Sequence, residues 1–96
     1  MPKVSIIIPV YNVERYLYRS LNSLHNQTLE DIEIICIDDC STDSSLKILK
    51  ECAELDNRII VLESEKNSGA AIARNRGLEI ATGEYLGFIV PLLYSI

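Results

Sequence analysis

The chain has 96 residues, of which 48% are hydrophobic and 24% charged, and a formal net charge of −5. This length fits one small domain, and the composition is that of a globular protein rather than a disordered one. Lysine and arginine are scattered rather than clustered, which argues against nucleic acid as the main partner. Three cysteines in no paired spacing argue against a disulfide framework or a zinc site, and favour a reducing compartment.

Four short apolar runs alternate with three helical patterns along the chain. The strands are predicted at residues 4–10, 32–37, 58–62 and 85–90. Helix caps are predicted at Asn12, at Thr42 or Asp43, and at Asn67 or Ser68. The order βαβαβαβ predicts an α/β fold with a parallel sheet covered on both faces. In such a sheet, ligands bind outside the carboxyl ends of the strands.

We expect neither a signal peptide nor a membrane-spanning segment in this sequence. Residues 1–3 lead directly into the first apolar run, and no apolar stretch reaches the ~20 residues of a membrane helix. We therefore expect a cytoplasmic protein, either free or peripheral at the inner face of the membrane.

The first predicted strand ends at Pro9-Val10-Tyr11-Asn12. No glycine precedes residue 69, so the Gly-rich turn that binds NAD or FAD is absent. Tyr11 offers an aromatic ring for stacking on a base, but the alternative is an ordinary half-buried tyrosine that covers the sheet edge. Tyr11 alone leaves both interpretations open.

Two adjacent carboxylates, Asp38 and Asp39, directly follow the second predicted strand. Because consecutive side chains leave a strand in opposite directions, one carboxylate would hold the loop while the other accepts hydrogen bonds from a base or ribose. Capping of the turn and the next helix is the alternative. That alternative accounts for Asp43 more easily than for both members of the pair.

Arg74 lies on the predicted packing face of the third helix, whereas Asn75, Arg76 and Glu79 are predicted to point the other way. A guanidinium on a packing face needs a carboxylate or phosphate partner, or else its stem extends to the sheet edge. In both cases we expect the head of Arg74 near the strand-end loops, because the helix starts there.

Four segments in matching order and spacing resemble glycosyltransferase family 2 with the GT-A fold, and the likeness spans residues 3–89. The segments are residues 4–12, 33–43, 67–77 and 81–89. The resemblance implies that residues 1–90 are the Rossmann-like front half of a GT-A fold, which binds a nucleoside diphosphate sugar with UDP as the default nucleotide. It implies nucleoside contacts and their support at Pro9, Tyr11, Asp39 and Asp38, and a diphosphate near Arg74.

The resembled family transfers the sugar to an acceptor hydroxyl, mostly with inversion, and uses a divalent cation (Mg or Mn) and a carboxylate base. It would place the cation-binding Asp-x-Asp at residues 90–92, where this chain has Val90-Pro91-Leu92. None of these residues suits a hard cation. Residues 91–96 form an apolar tail unlike the family. We therefore expect a truncated, inactive donor-binding region with no catalytic residue or metal ligand, which self-associates through its exposed C-terminal segment.

Two other classes of protein are alternatives to a glycosyltransferase, and one of them also has acidic residues at the ends of parallel strands. A non-catalytic module that binds a nucleotide or a partner domain is the alternative function. A phosphoreceiver domain ranks lower, because it would need an acidic pair after the first strand and an aspartate after the third.

Overall fold

The computed structural model describes residues 2–25 and 31–89, in which strands and helices alternate. The strands are β1 (Val4–Val10), β2 (Ile32–Asp38), β3 (Ile59–Glu63) and β4 (Tyr85–Phe88). The helices are α1 (Glu14–His25), α2 (Ser45–Leu55) and α3 (Ala70–Ile80). The strands form one parallel sheet in the order β3-β2-β1-β4. The predicted α/β fold is thus confirmed.

The central strands β1 and β2 are buried on both faces. Ile8 and Ile34 face α1 and α2, whereas Ile7 and Ile35 face α3, and all four side chains are fully buried. Alternate residues of a strand point to opposite faces, so a strand covered on both sides must be apolar throughout. This requirement explains the continuous β-branched runs in the sequence.

Helix α3 approaches the sheet most closely at Gly77. A Cβ atom on this residue would lie 2.8 Å from Cγ2 of Ile7 and 2.9 Å from Cδ1 of Ile37. Ala73, one turn earlier on the same face, is fully buried. These small residues let the helix lie directly on β1 and β2, which brings the start of α3 to the carboxyl ends of the strands.

Strand β4 is the least covered part of the sheet. It pairs with β1, and its side chains Tyr85, Leu86 and Phe88 are each at least half exposed. The prediction that this strand reaches residue 90, and the predicted tail at residues 91–96, concern positions outside the described residues.

A polar anchor holds the turn that precedes β4. Glu33 of β2 accepts hydrogen bonds from the Ser5 hydroxyl and, at 2.7 Å, from the backbone N–H of Thr82. The Ser5 hydroxyl in turn accepts the N–H of Gly83 at 2.8 Å. A Cβ atom at Gly83 would lie 2.6 Å from the backbone nitrogen of Ser5, so this close approach requires glycine. The start of β4 is therefore fixed across β1 by a side chain of β2.

None of the three helices in residues 2–25 and 31–89 has both the length and the apolar character that crossing a bilayer requires.

Candidate functional site

The loops that follow β1 and β2 meet at the carboxyl edge of the sheet. The backbone N–H of Asp39 donates to the carbonyl of Val10 at 2.8 Å, which brings the residues after both strands side by side. Tyr11 is 46% exposed there, Asp39 is buried, and Pro9 is half-buried in β1. The structure thus brings the predicted nucleoside residues to one edge, and their shared binding of a nucleoside stays a prediction.

Asp38 and Asp39 diverge to opposite faces of the sheet, and both support loops. Asp38 Oδ2 accepts the N–H of Ser41, in the loop that leads to α2, at 3.1 Å. The two oxygens of Asp39 accept the N–H groups of Ser68 and Gly69, at the start of α3, at 3.0 and 2.8 Å. A carboxylate oxygen has two lone pairs, so Asp39 can still accept a hydrogen bond from a ligand.

Asp38 also carries an unsatisfied polar atom. Its Oδ1 is buried and has no hydrogen-bond partner among residues 2–25 and 31–89. Its second oxygen holds the loop that leads to α2, and the supporting role predicted for Asp38 stays a prediction.

Side chains connect the loop after β1 to the loop after β2, and we call residues 11–14 and 41–45 the loop clasp. Oδ1 of Asn12 accepts the N–H of Thr42 at 2.8 Å and that of Asp43 at 3.3 Å. In return, the N–H of Asn12 donates to the Ser41 hydroxyl at 3.0 Å. Each loop therefore satisfies backbone groups of the other.

The same clasp caps two helices reciprocally. Asp43 Oδ2 accepts the N–H of Glu14, the first residue of α1, at 3.2 Å, and its Oδ1 accepts that of Ser45 at 2.8 Å. Glu14 Oε2 accepts the N–H of Ser44, the N-cap of α2, at 3.1 Å. The buried Ser45 hydroxyl also accepts the N–H of Val13. Because the two helix starts lie side by side, residues of each cap the other.

This arrangement corrects the predicted caps. Asn12 bridges the two loops instead of capping α1, and Asp43 contributes to both helices rather than to α2 alone. The N-cap of α3 is Gly69, with φ of 94°, because the carboxylate of Asp39 supplies the acceptor that a capping side chain at Asn67 or Ser68 would have provided.

Carboxylates of the chain itself occupy the starts of all three described helices. A free helix N-terminus attracts phosphate because its N–H groups have no partner and its dipole is positive. Here Asp43, Glu14 and Asp39 accept such N–H groups of α1, α2 and α3. A diphosphate at this edge would therefore meet negative charge at the helix starts, and a cation is needed to hold it.

Arg74 is an exposed cation at the carboxyl end of β4. Its guanidinium carbon lies 5.6 Å from the centre of the Phe88 ring, a cation–π contact. The predicted position near the strand ends agrees with the structure, but the predicted place of Arg74 in the middle of the packing face is wrong. Arg76, predicted to point to solvent, is half-buried and donates to the Ser64 hydroxyl at 2.8 Å.

The error arises from where α3 touches the sheet. Ala73 and Gly77 define the contact, and at ~100° per residue Arg74 and Arg76 lie about 80° to either side of its centre. Arg74 therefore extends toward β4 and Arg76 toward β3. The predicted face included Ala70 and was flanked by Ala71, and both are exposed and lie on the Arg74 side of the helix, so the predicted centre was too close to Arg74.

A polar cleft of about 450 Å³ opens beside β3 and the start of α3. Its lining residues are Glu63, Ser64, Glu65, Lys66, Ser68 and Arg76. Two carboxylates oppose two cations, so the cleft has no charge excess that would attract a diphosphate. The sequence pattern did not indicate this cleft, because it predicted that Arg76 points to solvent.

The described residues do not fit the divalent cation that the resemblance implies. Across residues 2–25 and 31–89, no three His, Cys, Asp or Glu side chains are grouped so as to hold a metal ion. The acidic side chains at this edge serve as acceptors for backbone N–H groups instead. Positions 90–92, where Asp-x-Asp is expected, lie outside the described residues.

Comparison with known proteins yields one family. Residues 5–89 match the family described as Glycosyl transferase family 2. Glycosyltransferase GlyA of Streptococcus pneumoniae is 47% identical over 87 residues, which cover 91% of this chain and 12% of GlyA.

Two solved structures are similar to the fold described above. The crystal structure of S. aureus TarS 1–349 in complex with UDP has a TM-score of 0.86 and 37% identity, covering 93% of this chain and 27% of that one. The mannosyltransferase PcManGT from Pyrobaculum calidifontis, in complex with GDP-Man and Mn²⁺, has a TM-score of 0.81 and 28% identity, with 88% and 26% covered. The chain thus spans about a quarter or less of these proteins. With 85 consecutive positions matched by the family and a GT-A-type sheet, the chain belongs to glycosyltransferase family 2.

Proposed function

We propose that this chain binds the nucleoside of a nucleoside diphosphate sugar at the edge formed by β1 and β2, and that UDP-sugars are the donor class. The observation that carries the proposal is the hydrogen bond from the backbone N–H of Asp39 to the carbonyl of Val10, which brings the exposed Tyr11 and the buried Asp39 to the same edge of the sheet. The similar TarS structure holds UDP, which supports uridine as the nucleoside.

The proposed roles follow from the places of these residues at the sheet edge and from the lone pairs that remain on the Asp39 carboxylate. Tyr11 stacks on the base, Pro9 forms part of the adjoining wall, and Asp39 accepts a base N–H with a remaining lone pair. Asp38 supports the loop that leads to α2. Arg74 is the exposed cation that faces the diphosphate. Stacking contributes about 1–3 kcal/mol per base and a hydrogen bond to a charged group about 1.5–3 kcal/mol, so we expect roughly 4–5 kcal/mol in total, or a Kd of about 0.1–1 mM for UDP.

We further propose that the whole protein transfers the sugar to an acceptor hydroxyl with inversion, and that this chain alone is inactive. A divalent cation would stabilise the departing diphosphate in the complete enzyme. The residues described here include neither a set of cation ligands nor an assigned base. We propose a cytoplasmic location, either free or peripheral at the inner face of the membrane.

A UDP titration followed by amide NMR shifts tests the nucleoside site. We expect shifts centred on residues 10–12 and 39–41, with nearly the same Kd with and without Mg²⁺. Tyr11→Ala should weaken binding at least tenfold, because the base loses its stacking partner. Tyr16→Ala, which removes an exposed tyrosine of α1, is the matched control. Equal UDP affinities for Tyr11→Ala and Tyr16→Ala, or shifts centred on other residues, would rule out the proposed site. A large gain with Mg²⁺ would place a cation site within this chain.

We also propose weak self-association through β4. Its apolar side chains are half exposed, and one edge of the strand has no neighbour among the described strands. Such a strand tends to pair with a second copy. Light scattering over a concentration series should show mass increasing with concentration, and Leu86→Lys should reduce the increase. A constant monomer mass would contradict this proposal. The same increase of mass with concentration in Leu86→Lys as in the wild type would exclude β4 as the interface.

A further inference from the structure

We propose that Asn12 and Asp43 are positioning residues that couple the loop after β1 to the loop after β2, so that Tyr11 and Asp39 are set in place together. The inference rests on the proposed function in one respect, which is that the ligand is a nucleoside bound between these two residues. The coupling of the loops is a property of the ligand-free chain.

The backbone next to each site residue is strained. Asn12, which follows Tyr11, has φ of 50°, and Cys40, which follows Asp39, has φ of 66°. Side chains other than glycine adopt this left-handed region rarely, although asparagine tolerates it better than most. Such conformations persist only where surrounding contacts hold them. Loosening the clasp would let both residues relax and would move their neighbours in the site.

The contacts that hold Asn12 run between the loops, whereas Cys40 is flanked by a bond within its own loop, from the N–H of Ser41 to Asp38. The Asn12 amide accepts from Thr42 and Asp43, so neither loop can shift by itself without breaking bonds of the other. Asp43 extends the coupling to the helices, since its two oxygens accept one N–H from α1 and one from α2. The buried Ser45 hydroxyl, bonded to Val13, fixes the same pair of helix starts from inside.

Ordinary capping is the competing explanation. If the clasp only stabilised the helices, its loss would lower the midpoint of unfolding and leave the UDP affinity of the folded protein unchanged. A positioning role predicts that the affinity falls under conditions in which the variant is still fully folded. The two explanations therefore differ in a measurement that folding stability does not affect.

The test compares Asn12→Ala with Asn12→Asp and with Asn22→Ala, an exposed asparagine in the middle of α1. Asn12→Asp keeps the acceptor oxygen and should restore the wild-type behaviour. Amide hydrogen exchange of the ligand-free chain reports on the coupling. In Asn12→Ala we expect at least tenfold faster exchange at Ser41 and Ser44, whose N–H groups bond to Asp38 and Glu14 rather than to Asn12. Rates within twofold of the wild type at both amides would overturn the coupling.

The UDP Kd, from the same NMR titration, reports on the positioning. We expect it to rise at least fivefold in Asn12→Ala and to stay within twofold of the wild type in Asn12→Asp and Asn22→Ala. Faster exchange with an unchanged Kd would overturn the positioning role and leave the proposed function intact. If the wild-type chain does not bind UDP, the proposed function fails, and the exchange rates alone decide on the coupling.

Asp43→Asn provides a second test if Asn12→Ala does not fold. This change keeps the size of the side chain but removes its charge and one acceptor oxygen. The reporter is then the N–H of Asn12, which bonds to Ser41 and not to Asp43. At least fivefold faster exchange there supports the coupling between the loops, and a wild-type rate contradicts it.

Discussion

The carboxyl edge of β1 and β2 and the outer strand β4 belong to one sheet, but they are stabilised in different ways. At the carboxyl edge, buried carboxylates and the loop clasp tie two loops and three helix starts together. Strand β4 pairs with β1 and has a polar anchor at its start, while its side chains remain half exposed. The edge that carries the candidate nucleoside site is thus held by contacts within the described residues, whereas β4 is held mainly by backbone pairing.

Truncating one buried side chain in each region should separate them most clearly. Ile35 is fully buried in β2, and Ile35→Ala should lower the free energy of unfolding by about 2–5 kcal/mol through lost burial and a cavity. Leu86 in β4 is half exposed, so Leu86→Ala should cost less than about 1 kcal/mol. Urea unfolding measures both. Similar losses would mean that Leu86 is covered in solution, as association of two copies through β4 would require.

Replacing glycine by alanine should change the folding stability differently in the two regions. A Cβ atom at Gly77 would lie within 3 Å of Ile7 and Ile37, so Gly77→Ala overpacks the interface by about 1–3 kcal/mol, against about 1 kcal/mol gained in helix propensity. We expect a net loss of about 1 kcal/mol. At Gly87 in β4, the nearest atom to an added Cβ is 3.8 Å away, so Gly87→Ala should be neutral or slightly stabilising.

The thermal midpoints of these two glycine variants give an independent measurement. A stabilised Gly77→Ala would show that α3 can move away from the sheet at little cost. In that case the start of α3, and with it the backbone that Asp39 holds, would be less firmly placed than the structure indicates.

The fold could be predicted from the sequence because its determinants are local or repeat along the chain. The continuous β-branched runs of β1 and β2 are visible without any knowledge of their neighbours. The clasp could not be predicted, because Asn12 and its partner Thr42 are 30 residues apart and capping rules consider only adjacent residues. The orientation of Arg74 was missed for a related reason, since it depends on which residues of α3 touch the sheet.

Acid should weaken the clasp and the β4 anchor by the same mechanism. Burial alone would raise the pKa of Asp43, but hydrogen bonds from Ser45 and from the N–H of Glu14 outweigh it and leave the pKa below its usual value. Burial likewise opposes the lowered pKa of Glu33, which results from hydrogen bonds donated by Ser5 and Thr82. Both carboxylates are therefore bonded more strongly when ionised than when protonated.

The sign of the pH effect follows from these lowered values. A carboxylate with a lower pKa in the folded state stabilises it above the unfolded pKa, near 4, and this contribution is lost as the pH falls through the folded pKa. Both groups are partly exposed, so solvent screening keeps each contribution below about 1 kcal/mol.

Urea unfolding from pH 6 to pH 3 should therefore show a shallower pH dependence for Asp43→Asn and for Glu33→Gln than for the wild type. Amide exchange distinguishes the clasp from the β4 anchor. Protonation of Glu33 should speed exchange at Thr82 and Gly83, and protonation of Asp43 should speed it at Glu14 and Ser45. A wild-type slope in Asp43→Asn would mean that the clasp is held by its neutral groups, with Asn12 as the main contributor.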